Sequence, residues 1–415
     1  MNTEFHNRMV DVIRDLLEDA GSLSDADVLK RVEEAVLGQK ESNYMTSSEK
    51  KAAVDRLFHT FRGLDLLQPL LEDDSISEIM INGYKDIFIE REGRMERYPL
   101  SFENQEKLED IIQIMVAKVN RIVNESSPVV DARLADGSRV HVVLPPLALN
   151  GPTVTIRKFP DQPLTLEQLV TTGSLTEEAR QLLVKLVKAK YNIFIGGGTG
   201  SGKTTFLNAL SGYIPVDERV ITIEDSAELQ LHGIANLVSL ETRNSNTEGK
   251  GKVTISDLIR ASLRMRPNRI IVGEVRGSEA LDMLQAMNTG HDGSLSTGHA
   301  NSVTDMISRL ETMVLSAAPL PIPVIRSQIC SAVDIMVHLS RLRDRSRRVT
   351  EISEVAGMNN GEVMLNPLYR FEENLDEQGG RMDNTLQVNG RLVSSGNRLL
   401  RTQKWLNAGL KEDAM

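Results

Sequence analysis

Eight consecutive residues, Gly197-Gly198-Thr199-Gly200-Ser201-Gly202-Lys203-Thr204, fit the pattern G-x-x-x-x-G-K-[ST] at every fixed position. Glycines at that density let backbone N–H groups wrap an anion, while the lysine and hydroxyl at the end suit a phosphate chain and its Mg²⁺. The apolar stretch Asn192–Ile195 precedes the loop, and a helical pattern through Leu210 follows it. Strand, glycine loop and helix N-terminus together form a phosphate site. The expected ligand is therefore ATP with Mg²⁺. Gly197, Gly198, Thr199, Gly200, Ser201 and Gly202 would line the phosphates, with Lys203 on the β/γ-phosphates, Thr204 on the metal and Thr205 beside it. An unliganded glycine turn is the alternative. A Rossmann loop fits poorly, because no G-x-G-x-x-G falls here.

Three further clusters follow. Glu224 and Asp225 end an apolar run at Ile223, and carboxylates at the C-terminal edge of a parallel sheet lie where ligands bind. Glu224 would orient the attacking water, and Asp225 or Glu228 would hold waters of the Mg²⁺; a solvated strand end is the plain alternative. Ile270-Ile271-Val272-Gly273-Glu274 reads as a Walker B strand, but glycine stands where many such enzymes carry an aspartate. Glu274, helped by Glu224 and Asp225, must then serve the metal and water. Phosphoryl transfer tolerates this, since it needs positioning and charge neutralisation rather than covalent help. Gly290-His291 and Gly298-His299 bracket a short strand. No cysteine or third histidine joins them, so zinc is a weak reading, and an imidazole at the γ-phosphate suits His299 better.

The elements that must carry these residues alternate. Helix Glu177–Lys188 leads to strand 192–195, the loop and its helix. Strand 220–223, helix 254–263, strand 270–272, helix 279–287, strand 294–296 and helix 303–314 follow. This βαβα order implies a parallel sheet clad in helices, hence an α/β fold over 175–357. Strands around 341–348 close it; the arginines between them read as a solvated hairpin, or as a contact for an acidic partner or lipid headgroups. Residues 1–60 carry two apolar helical stripes and read as a helical N-terminal unit. Over 61–160, Ile79–Ile81, Asn82-Gly83 and Ile87–Ile89 suggest a hairpin with a type I′ turn. A helix at 108–122, a second hairpin around Asp136-Gly137 and a strand at 153–157 complete an α+β domain. Proline and polar residues mark 161–174 as a linker, and 358–415 is Gly-, Asn- and Glu-rich, expected to be a poorly packed tail.

Bulk composition narrows the function. The net charge of −10 and an aromatic content of 4% argue against a chain that coats nucleic acid or stacks bases. The lone cysteine, Cys330, excludes an internal disulfide. No secretory signal and no apolar run of about 20 residues is present, so a cytoplasmic protein is expected.

Taken in order, GGTGSGKT, ITIEDSAEL (221–229), LRMRPNRIIVGEVRG (263–277) and TGHDGSLSTGHAN (289–301) form a set. The set resembles the type II/IV secretion system ATPases, and within them the CpaF/TadA-type pilus assembly ATPases. In family terms these are Walker A, the Asp box, an atypical Walker B and the His box. EIMINGYKDIFIEREGR (78–94) and DARLADGSRVHVVLPPLALNGPTVTIRKF (131–159) resemble the family's N-terminal domain, so the likeness covers roughly 75–356. The resemblance implies a RecA-like P-loop motor domain preceded by a PAS-like α+β domain. It also implies a homohexameric ATP hydrolase at the cytoplasmic face of the cell membrane, acting on an inner-membrane platform protein of a pilus or secretion system. Arginines of the N-terminal domain would reach the nucleotide; the matching positions are Arg133, Arg139 and Arg157. Arg243, Arg264 and Arg266 are weaker candidates. Within the family the runner-up is a conjugation or effector-secretion ATPase. Outside it, a nucleic-acid motor and a non-hydrolysing nucleotide switch are the rivals.

Overall fold

The computed structural model of the chain describes residues 3–18, 23–91, 93–119, 121–159, 163–243, 250–373 and 387–411. The chain divides into two compact units, Met1–Asp161 and Gln162–Met415.

The first unit opens with three helices, α1 (Thr3–Glu18), α2 (Asp25–Leu37) and α3 (Ser47–Arg62). Their apolar stripes meet in a small core that buries Met9, Ile13, Val28, Val32 and Leu57. Ser24 caps α2, and Thr46 with Glu49 forms a capping box on α3, satisfying amides that would otherwise lack partners. Then come α4 (Leu67–Glu72), β1 (Ile76–Asn82), β2 (Ile87–Arg91), β3 (Arg94–Arg97), α5 (Gln105–Ala117), β4 (Val129–Arg133), β5 (Arg139–Val143) and β6 (Thr153–Arg157). The strands form an antiparallel sheet in the order β3-β2-β1-β6-β5-β4. One face, with Ile79, Ile81, Val140, Val142, Val154 and Ile156, packs on Leu108, Ile112 and Met115 of α5. The Asn82-Gly83 turn differs from the expected two-residue type. Asn82 stays in β1, its N–H donates 2.8 Å to the Asp86 carbonyl, and the connection spans 83–86. Gly83 is needed for another reason: a Cβ there would lie 2.6 Å from the Asn150 carbonyl oxygen.

The second unit runs α6 (Leu166–Thr171), α7 (Glu177–Lys188), β7 (Ile193–Gly197), α8 (Lys203–Ser211), β8 (Arg219–Glu224), β9 (Asn236–Glu241), α9 (Ile255–Ser262), β10 (Arg269–Val272), α10 (Glu279–Asn288), β11 (Leu295–Gly298), α11 (Val303–Ala317), α12 (Ile322–Ala332), β12 (Ile335–Arg341), β13 (Arg347–Asn359), β14 (Glu362–Glu373), β15 (Gly390–Ser394) and α13 (Gln403–Asn407). The sheet order is β15-β14-β13-β12-β7-β11-β10-β8-β9. From β12 to β9 every pair is parallel; β13, β14 and β15 add an antiparallel wing. Apolar clusters line both faces, as a sheet covered on two sides requires. Asn192 fixes the start of the central strand: its side-chain amide donates to the Ala332 carbonyl, and its side-chain oxygen accepts from the N–H groups of Gly293 and Ser294.

Two expectations about boundaries need correction. The segment 161–174 is not only a linker, because α6 occupies its second half. Thr165 and Gln168 form a capping box there, and Leu166 and Leu169 are buried in the core of the unit. Nor is 358–415 a loose tail over its described residues. Leu368, Leu392, Leu399 and Trp405 are buried in the same core. The fully buried Glu354 carboxylate accepts from the N–H groups of Leu400 and Arg401. Apolar residues too sparse to give a period still find burial when a strand ladder brings them to the sheet. Residues 374–386 and 412–415 of that stretch lie outside the described residues.

Among the described residues no single helix is long and apolar enough to cross a membrane. The bent pair α11–α12 passes on composition alone, but its apolar residues, Leu310 and Ile329 among them, are buried against the sheet.

Candidate nucleotide site

The parallel strands end together. Register pairs Gly298 of β11 with Gly196 of β7, Val272 of β10 with Ser296 of β11, and Val272 with Ile223 of β8. The residues that follow, Gly197, Glu224, Gly273-Glu274 and His299, therefore share one C-terminal edge. Ligands bind at that edge in open α/β sheets.

The loop between β7 and α8 is built for close backbone approach. Gly202 is the N-cap of α8 with φ of +93°, and Gly200 has φ of +69°, a region that favours glycine. Lys203 is only 8% exposed. Its ammonium donates 3.1 Å to the Gly197 carbonyl and 2.9 Å to the Gly198 carbonyl, and lies 3.3 Å from His299 Nδ1. These contacts hold an extended cation beneath the loop. Thr204 and Thr205 lie half-buried in the first turn of α8.

His299 bridges the loop to β10. Its Nε2 lies 2.7 Å from Glu274 Oε1, and Glu274 Oε2 accepts 2.7 Å from Arg276. Burial, and then the Lys203 charge, push the His299 imidazole below its ordinary pKa, while Glu274 pulls the other way. A neutral ring with its proton on Nε2 accepts from Lys203 at Nδ1. The approach of Nε2 to Glu274 is not aligned for a hydrogen bond, and Glu274 Oε1 is buried with no hydrogen-bond partner among the described residues. His291 has no part in this chain of contacts; its Nδ1 lies 3.1 Å from the Ala286 carbonyl at the end of α10.

Glu224 is 4% exposed, and its Oε1 accepts from the N–H groups of Glu228 and Leu229 at 2.8 and 2.9 Å. The Glu224 side chain crosses over Gly273: a Cβ there would lie 2.8 Å from Glu224 Cγ. The glycine in this Walker B-like strand thus makes room for a carboxylate from the neighbouring strand. Asp225 is exposed, and its Oδ1 accepts 2.8 Å from the Thr242 hydroxyl at the end of β9. No cluster of three metal-ligating side chains occurs among the described residues. A divalent cation here would be held largely through phosphate oxygens, as Mg²⁺ usually is.

The family of type II/IV secretion system proteins matches residues 61–390. A putative conjugal transfer protein of Mycobacterium tuberculosis is 32% identical over 78% of this chain and 93% of its own. The type IV secretion system protein VirB11 of Brucella suis is 34% identical over 70% of this chain and 88% of its own. The pilus retraction motor PilT, solved with ADP, shares the fold at 17% identity, with a TM-score of 0.51 over 83% of this chain and 87% of its own. The chain belongs to the type II/IV secretion system family. It is an ATPase of that family.

In this secretion ATPase the three arginines singled out in the first unit form a single row. Arg133 pairs with Arg139 across β4 and β5, Arg139 with Arg157 across β5 and β6, and Arg157 with Glu78 across β6 and β1. All lie on the sheet face opposite the core. Like charges directly opposite one another are destabilising. Arg139 lies 3.7 Å from Asp131 and Arg157 lies 3.9 Å from Glu78, while Arg133 donates to the Gly137 carbonyl of its own turn. Of the weaker candidates, Arg243 donates to the Gly251 carbonyl, and Arg264 and Arg266 are exposed.

Sequence reasoning missed two features at the site. His338 of β12, 5% exposed, pairs in register with Gly196; its Nδ1 lies 2.8 Å from the Thr350 hydroxyl and its Nε2 lies 3.3 Å from the Ala300 carbonyl. It braces the strand beneath the loop. The basic turn 341–348, expected as a solvated hairpin, instead reaches the glycine loop: Arg347 Nε donates 3.0 Å to the Gly200 carbonyl. Both depend on β12 lying beside β7, a long-range pairing that no local pattern announces.

Proposed function

We propose that this secretion ATPase binds Mg²⁺-ATP in the loop 197–204 and works as a homohexameric motor on an inner-membrane partner, from the cytoplasmic face. The observation that carries the site assignment is the run of close contacts Lys203–His299–Glu274, with Glu224 laid over Gly273 beside it. A γ-phosphate at the loop would replace the carbonyl partners of Lys203. Glu224 and Glu274 then flank it, to orient water and fix the metal with Thr204 and Asp225. The arginine row Arg133–Arg139–Arg157 supplies cationic charge to a bound nucleotide, in the same subunit or a neighbour. Such charge raises phosphoryl-transfer rates by about 10³-fold or more.

The motif set supports a RecA-like motor of the Flp/Tad pilus type. The names of the M. tuberculosis and Brucella relatives favour a second reading, a conjugation or effector-secretion motor. Both use the same site chemistry and differ in cargo. The test is to isolate the protein from membranes with its bound partners, alongside the Glu274→Gln variant. Recovery of pilus-assembly platform proteins supports the first reading, and recovery of a conjugation or effector-secretion channel supports the second. A monomer that turns over ATP fully and keeps no membrane partner overturns both.

A further inference from the structure

The β12–β13 turn carries Arg341, Arg343, Arg345, Arg347 and Arg348 within eight residues. Several of these have structural partners. Arg343 pairs with the Glu373 carboxylate, and Arg348 donates 2.6 Å to the Gly173 carbonyl. Arg347 differs. Its described hydrogen bond goes to the Gly200 carbonyl, in the middle of the phosphate loop, and among the described residues it makes no ion pair. Its Cδ lies 3.5 Å from where a Cβ on Gly202 would stand, and Arg341 NH1 lies 3.7 Å from the same point on Gly200. The two arginines face each other directly across the β12–β13 ladder.

Sheet register sets this placement. Leu339 of β12 pairs with Gly197 of β7, so the strand that leaves the sheet at Arg341 does so beside the loop. The turn itself is tethered from the antiparallel wing. Asp344 accepts from the Val388 N–H at 3.1 Å, and Arg343 is held by Glu373 at the end of β14. The turn thus sets Arg347, and Arg341 opposite it, beside the glycine loop that leads into Lys203. Guanidinium is the side chain that best matches phosphate oxygens.

We propose that Arg347, with Arg341 opposite it, is a phosphate contact supplied by the same polypeptide unit as the P-loop. When a nucleoside di- or triphosphate binds, the Arg347 guanidinium exchanges the Gly200 carbonyl for a phosphate oxygen. The antiparallel wing β13–β15 thereby becomes a wall of the nucleotide site and holds that arginine in place. This inference rests on the loop 197–204 being the nucleotide site.

The test uses the full chain and displacement of a fluorescent ADP analogue by ATP and by inorganic tripolyphosphate, which offers phosphate contacts alone. Arg347→Ala is expected to weaken both competitors about tenfold or more, as the loss of one charged hydrogen-bonding partner does. Arg347→Lys should fall between wild type and Arg347→Ala, and the melting temperature without ligand should stay unchanged in both. Wild-type tripolyphosphate affinity in Arg347→Ala overturns the proposal. So does an equal loss in both variants, which would mark Arg347 as a buttress of Gly200. Lys203→Ala in the same assay separates the two levels of the reading. If it binds as wild type, the nucleotide site is elsewhere; if it loses binding while Arg347→Ala does not, only the arginine assignment fails.

Discussion

Glu224 occupies the space that a side chain at position 273 would need: Glu224 Cγ stands 2.8 Å from the Cβ position of Gly273. The glycine in the Walker B-like strand leaves room for a carboxylate from the neighbouring strand. Glu224 arrives from β8, already fixed by two backbone N–H groups, and Glu274 arrives from β10, fixed by Arg276 and facing His299.

Gly273→Asp should accordingly be worse than a neutral change. The new carboxylate collides with Glu224 and repels it, so we expect nucleotide binding to persist while turnover falls about 10²-fold or more, the scale of a lost general base. Gly273→Ala should fall in the same direction, less steeply. Steady-state turnover against nucleotide affinity is the measurement; wild-type turnover in Gly273→Asp would break the link between these residues.

Glu224→Gln and Glu274→Gln should each bind ATP and hydrolyse it about 10²-fold more slowly or worse. Glu274→Gln should also loosen His299, because it removes the charge that Nε2 faces. A variant with normal turnover shows that its carboxylate neither orients water nor positions metal.

His299 makes the site sensitive to acid. Its folded pKa is lowered from the ordinary 6.5 by burial and by Lys203, with Glu274 opposing and Arg276 and Arg309 adding positive charge nearby. Below pH 6.5 the unfolded chain binds a proton at this residue that the folded chain resists. Stability therefore falls as pH drops from 6.5 toward the lowered value and is unaffected above that window. Melting curves of wild type and His299→Gln should converge as the pH is lowered through it. A constant separation between them would contradict the lowered pKa.

The C-terminal segment should prove necessary for folding. Trp405 is fully buried, and Trp405→Ala is expected to cost about 3–5 kcal/mol. A fragment ending near residue 360 removes that side chain and leaves Glu354 without the N–H groups of Leu400 and Arg401. Chemical denaturation of Trp405→Ala against wild type measures the effect; a loss below about 1 kcal/mol would return the segment to the status of a tail.

What the sequence discloses follows from the range of the interaction. The glycine loop is legible because its spacing is local, and strands such as β7 and β8 are legible because β-branched runs are. The Walker B glycine is visible as a departure from pattern, but its reason lies in a neighbouring strand. Arg347 and His338 reach the site through the pairing of β12 with β7, and Trp405 reaches the core from a stretch whose composition suggests none. The linker helix α6 hides behind two preceding prolines, Pro160 and Pro163, although its Thr165–Gln168 capping box is in plain view.

Steady-state ATP hydrolysis by the full chain with Mg²⁺, wild type against Lys203→Ala over a range of protein concentrations, tests the central claim most directly. Wild type should turn over with a specific activity that rises with concentration as subunits assemble. Lys203→Ala should be inactive and bind nucleotide weakly at every concentration. Equal turnover by the two proteins would place the chemistry somewhere other than the loop between β7 and α8.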